Sequence, residues 1–209
     1  MALGEHLLLL SGSVLLSSAI VLVPYALERP AALSHQFLQA ISAGISALVV
    51  IWWQTSLSPT SLIPLKLALG LCLLTFALIT TAGLLAATTS SRSRAACGVT
   101  LALLIAASAP LWLGSAVEYF YFGHAAINSI IAISPVSYLA ALADWDYLRG
   151  EWFYRHTPFG GLRFDYPSIP MTSLLHLIIG LTCHYIRRPI ESYKTTSNNC
   201  IKYQPSLSI

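Results

Sequence analysis

His176, Gly180 and His184 follow one another at four-residue steps near the end of the chain. On a helix each such step turns by ~40° and rises by ~6 Å, so the three residues form one slowly turning stripe. Imidazoles on either side of a glycine suit a flat group, and imidazole is a common axial ligand of haem and of chlorophyll-type pigments. A second ligand would have to come from another helix, and His124 is the candidate. The plainer reading makes Gly180 a point of close helix packing and puts His184 at the headgroups beside Arg187. That reading is the expectation, and with it no bound cofactor. No spacing among Cys72, Cys97, Cys183 and Cys200 matches a metal site or a redox motif.

The second chemical concentration is the stretch from Asp144 to Pro170. It carries Asp144, Asp146, Glu151 and Asp165 among arginines, His156 and many aromatic rings. The rings are too numerous to leave in water and the charges too numerous to sink into hydrocarbon, so the stretch belongs at an interface. One reading is a capping loop whose charges pair with one another, and the other is a gate or a docking surface. Trp145, Trp152, Arg155 and the break at Pro135 are the candidates for the second, since Trp, Tyr and Arg dominate binding hot spots. Asp144 and Asp146 as a cation site is weaker, because surface loops often hold two acids. There is no phosphate loop, nucleophile elbow or zinc-protease helix, so no bond chemistry is expected.

The elements that must position these residues are apolar helices. Hydrophobic residues make up 56% of the 209, charged residues only 9%, and mean hydropathy is +0.71. A soluble domain carries ~25% charge, so lipid must be part of this chain's solvent. Stretches 6–27, 35–57, 67–91 and 95–117 hold no Asp, Glu, Lys or Arg. Each is near or above the ~20 residues a helix needs to span the bilayer. A further span is expected over 171–186, stopping at Arg187-Arg188-Pro189. The predicted fold is all-α: a polytopic membrane bundle of five or six spans, with a re-entrant or kinked apolar element before the last. Residues 1–189 form one integral-membrane domain, and 190–209 a polar, mobile tail. Ala40, Ala43, Gly44 and Ala47 give the second helix a small-residue face for packing. Glu5 stands where a signal peptide would be basic, so the first apolar run is expected to be a retained helix. The net charge of +3 leaves no footprint for nucleic acid.

Orientation turns on whether 125–143 crosses the membrane. If it does, loop Lys and Arg divide six against four; if it returns, they divide seven against three. The positive-inside rule favours the second, with the N-terminus outside, 144–170 outside and the tail cytoplasmic. Pro135 in mid-run supplies the break that a re-entrant pair requires. Lys66, alone near the start of its helix, is expected to snorkel to the interface, with an internal ion pair as the alternative.

Ile133-Ser134-Pro135-Val136-Ser137-Tyr138-Leu139, followed by the short span 171–188, resembles the end of ABC-2 type permeases over about residues 60–190. The family's re-entrant element lies before its last span, as here, although four spans precede it instead of five. The resemblance implies a transporter subunit in a bacterial inner membrane, working with a separate P-loop ATPase chain, other membrane subunits and lipids. Two other functions fit the composition. One is a non-catalytic accessory subunit of a respiratory or photosynthetic complex, and the other a haem- or pigment-binding electron-transfer subunit.

Overall fold

The computed structural model describes residues 3–28, 32–55, 62–89, 91–120, 124–157 and 164–202. Arg29, the turn at Ser58-Pro59-Thr60, Tyr121, Phe122, Phe159 and Arg163 lie outside the described residues, as do the side chains of Trp152, Tyr154 and Cys200. The described chain is helical: α1 (Leu3–Glu28), α2 (Leu33–Thr55), α3 (Ile63–Thr89), α4 (Arg92–Phe120), α5 (His124–Ile133), α6 (Pro135–Leu142), α7 (Glu151–His156) and α8 (Ile169–Lys202). A 3-10 turn at Tyr147–Arg149 precedes α7. α1, α2, α3, α4 and α8 are long and apolar enough to cross a membrane.

α3 is the central post. Its apolar window is 72% buried, against 17% for that of α8. Leu67, Leu71 and Leu74 of α3 join Leu7, Leu15 and Tyr138 in one core. Ile79 and Ala82 meet Val23 of α1 and Val99 of α4 nearer the other end. Many helix hydroxyls are satisfied locally, as lipid favours: Thr80 Oγ1 donates to the Phe76 carbonyl at 2.9 Å and Thr100 Oγ1 to that of Ala96 at 2.9 Å, whereas the buried Thr75 Oγ1 has no partner among the described residues. The small residues of α2 permit close approach as expected. A β-carbon at Gly44 would lie 2.8 Å from the Ala68 carbonyl oxygen and 3.2 Å from Cys72 Cβ.

The apolar run before the last span is broken at Ser134, and α5 and α6 meet at 84°. Pro135 opens α6, where its missing N–H costs nothing, and forces the preceding residue out of the helical region. The bend tip is held by Ser134 Oγ donating to the Ala107 carbonyl on α4 at 3.3 Å. Ala107 is ten residues before Val117, the last residue of the charge-free stretch of α4, and so ~15 Å along the helix from its end.

The pair comes back to the end of the bundle from which it leaves. Before it, the chain exits α4; after it, Asp144 reaches Lys66 at the start of α3, 3.8 Å away. Trp145 sits on Gly4 at the start of α1, and the Asp165 amide donates to Asn128 Oδ1 on α5 at 3.1 Å. The starts of α1, α3 and α8 therefore share this end, called proximal below, and an odd number of crossings is expected. Single cysteines replacing Ser168 and Ser197 are expected to label from opposite sides with an impermeant maleimide. Equal labelling of both in intact cells would refute the odd count.

One boundary differs from the sequence reading. The last helix does not stop at Arg187-Arg188-Pro189; α8 continues through Pro189 to Lys202, so residues expected to form a mobile tail are helical. An Arg187–Glu191 ion pair at 2.6 Å straddles the proline on one helix face, a side-chain link across the turn that lacks a backbone donor.

Candidate functional site

The loop after α6 starts from a helix end built on an acid where glycine is usual. Asp144 has φ 52°, in the left-handed region. The amides of Asp144 and Trp145 donate back to the carbonyls of Ala141 and Ala140, at 3.2 and 3.0 Å. This pair of bonds is the glycine-type helix terminus, and Trp145 is its apolar residue. The turn aims Asp144 at Lys66 and lays Trp145 on α1. Lys66 is thus ion-paired, although both side chains are about half exposed, and such a pair contributes only ~0–1 kcal/mol. Asp144 and Asp146 face different partners and form no chelating pair.

Asp146 is the latch of the loop. Its Oδ1 accepts from Tyr166 Oη at 2.7 Å and from the Arg149 amide at 3.2 Å, and its Oδ2 pairs with Arg149 Nε at 3.3 Å. Tyr147 Oη and Ser137 Oγ share a hydrogen bond of 2.9 Å, tying the loop to α6. Burial pushes both phenols above their usual range, and for Tyr166 the bond to Asp146 adds to it, so both stay protonated at neutral pH. Rings complete the cap: Tyr147 meets Phe153 edge-on at 5.0 Å and Phe164 meets Tyr166 at 5.7 Å, while Arg149 lies over Phe164 at 5.6 Å. Arg155 pairs with Glu151 at 2.6 Å. Asp146→Ala is expected to remove ~1.5–3 kcal/mol, the scale of a hydrogen bond to a charged acceptor. Hydrogen exchange should then rise over 144–157 and 164–168 while α3 stays protected. Unchanged exchange in the loop would mean that the latch is dispensable.

Beneath this cap, between α1, α4, α6 and α7, lies a half-enclosed cavity of ≈ 770 Å³. Leu8, Leu9, Pro110 and Leu111 supply apolar wall, and Trp145, Tyr147 and Phe153 the aromatic side. Glu5, Glu151, Arg155 and His156 supply the charged groups. Two of the residues singled out for a gate, Trp145 and Arg155, line this space. Pro135 is buried at the bend one residue before Val136, which also lines it. Trp152 stands on α7, with its side chain outside the described residues.

The histidine stripe does face the bundle, but each member meets a different element. The ring of His176 stacks on Tyr138 of α6 at 5.2 Å, and its Nδ1 donates to the Thr172 carbonyl at 2.7 Å. Tyr138 Oη in turn bonds Ser173 Oγ at 2.6 Å. Gly180 abuts the ring of Phe76 on α3. His184 faces inward: it is 1% exposed, its Nδ1 donates to Gln36 Oε1 of α2 at 2.8 Å, and its Nε2 has no partner among the described residues. His124 is at the proximal end, 4.0 Å from Asp165 and 3.4 Å from Asn128. No three His, Cys, Asp or Glu side chains gather into a metal-binding group among the described residues. Sequence reasoning passed over Gln36, although an amide inside an apolar run is itself a signal that a polar partner crosses from another helix.

Fold and site together define a polytopic α-helical membrane protein with a sharply bent helix pair before its last span and a capped cavity at one end. Compared with protein-family models, curated proteins and solved structures, the chain matches none.

Proposed function

We propose that the chain is the membrane subunit of a transporter, similar in plan to ABC-2 type permeases. It would move a lipid-like or otherwise bulky substrate in a bacterial inner membrane and catalyse no bond chemistry. The observation that carries this reading is the cavity of ≈ 770 Å³ between span ends and the re-entrant pair. Its size is that of a ligand pocket, and its apolar walls with charged groups suit an amphiphile. The excess of loop arginines and lysines on the distal side supports a cytoplasmic C-terminus. A separate ATPase chain would dock there and supply the energy. Purification in mild detergent is expected to recover a P-loop ATPase with this chain. Recovery of a respiratory or photosynthetic complex instead would overturn the proposal.

One observation favours the accessory-subunit reading. α1 and α2 leave between them a groove of ≈ 420 Å³ whose wall includes Ser13, Ser17, Ser42 and Ser46. Small side chains let another membrane helix approach closely, and the same purification decides between the two.

A further inference from the structure

Of the ionisable groups that line the capped cavity, Glu151, Arg155, His156 and Glu5, the first three have partners. Glu151 and Arg155 neutralise each other at 2.6 Å. Glu5, partly buried at the start of α1, has no ion-pair or hydrogen-bond partner among the described residues. One residue before it, Gly4 carries the indole of Trp145, because a β-carbon there would lie 2.6 Å from two of its atoms. From Trp145 the aromatic wall continues to Tyr147, with centroids 6.4 Å apart, and on to Phe153 at 5.0 Å. All four side chains line the same space. A carboxylate lining the same cavity as a row of aromatic rings attracts an organic cation, through charge and through the negative faces of the rings. The leucine and proline wall of α1 and α4 offers room for an apolar body behind that cation.

We propose that the cavity is a binding site for amphiphiles bearing an ammonium group, with Glu5 as counter-ion and Trp145, Tyr147 and Phe153 as the cage. The inference rests on reading the cavity as the substrate chamber and adds the class of substrate. Gly4 is small so that Trp145 can lie against α1 next to the carboxylate. The Glu151–Arg155 pair sets one edge of the site without competing for the cation.

The test is equilibrium binding to the full chain purified in neutral maltoside detergent, read by tryptophan fluorescence and calorimetry. The probes are decyltrimethylammonium, decyl sulfate and short-chain phosphatidylcholine. The cationic probe is expected to bind about tenfold more tightly than the anionic one, and Glu5→Gln to remove about that factor. Phe153→Leu keeps apolar volume, and should weaken the cation while sparing any binding of decyl sulfate. Phosphatidylcholine binding more tightly than the free cation, with the same loss in Glu5→Gln, would support the site and name the lipid headgroup as its source. Equal binding of cation and anion, or full cation affinity in both variants, overturns the proposal. Binding is measured without an ATPase, so a chain that binds the cation but recovers no transporter partner would sink the transport reading and leave this one standing.

Discussion

Gly180→Leu is expected to leave little correctly assembled protein, while Gly12→Leu, on the lipid side of α1, assembles normally. Both glycines sit inside apolar spans, so helix propensity and hydrophobicity change alike. Their surroundings differ. Nothing lies within 4 Å of a β-carbon built at Gly12, whereas one at Gly180 runs into the ring of Phe76. That ring is 1% exposed and held edge-on by Phe37 at 5.7 Å, so it has no empty volume to enter. Overpacking usually costs ~1–3 kcal/mol, and a leucine here threatens the whole α3–α8 seam. Thermal unfolding in micelles and size-exclusion profiles compare the variants, and Phe76→Leu should rescue Gly180→Leu in part. Identical behaviour of the two glycine variants would show that α8 does not seat on α3 at this point.

Glu191→Leu is expected to be more damaging than Arg187→Leu, and the double variant milder than Glu191→Leu alone. The Arg187 side chain is 8% exposed, and its Nε donates to Glu191 Oε1 at 2.6 Å. Its guanidinium lies against Gly83, filling the place a side chain on α3 would take. Removing one partner of a buried pair costs ~3–5 kcal/mol when the charge left behind stays buried, as that of Arg187 would, whereas replacing both partners by apolar groups is often nearly neutral; Glu191, left alone, can reach water. The lower end applies because Glu191 is 41% exposed and water can partly replace it. Melting temperatures of the three variants test the order. A less stable Arg187→Leu than Glu191→Leu would mean that the guanidinium holds the distal end by packing, with its charge incidental.

The histidines show where reading by position alone fails. His184 stands three residues before an arginine pair, so its place in the chain suggested headgroups and gave no sign of a protein partner. The distal end of the bundle buries its side chain against Gln36 of α2. A contact spanning 148 positions leaves no periodic trace in either helix. The latch is similar. Asp146 and Tyr166 are twenty positions apart, and nothing in the order of residues says which of four acids the phenol reaches. Pro189 misled for a different reason: a proline costs a helix one hydrogen bond and can be carried when other bonds cross the turn.

What the sequence by itself determined is the part of the problem that one-dimensional free energies decide. Scarcity of charge requires lipid as solvent, unbroken apolar length requires spans, and Pro135 marks where a break or kink can fall, since each acts on its own segment. Gly180 and Gly44 were legible as packing positions because glycine is costly inside a helix unless something needs the room. Only the tertiary structure decided which surfaces those glycines meet, that the broken pair returns to the end it left, and that a cavity lies beneath the cap with a carboxylate, Glu5, that has no partner among the described residues. Those features arise where α1, α4, α6 and α7 converge, and convergence is set by packing all the helices around α3, a three-dimensional sum that no single segment carries.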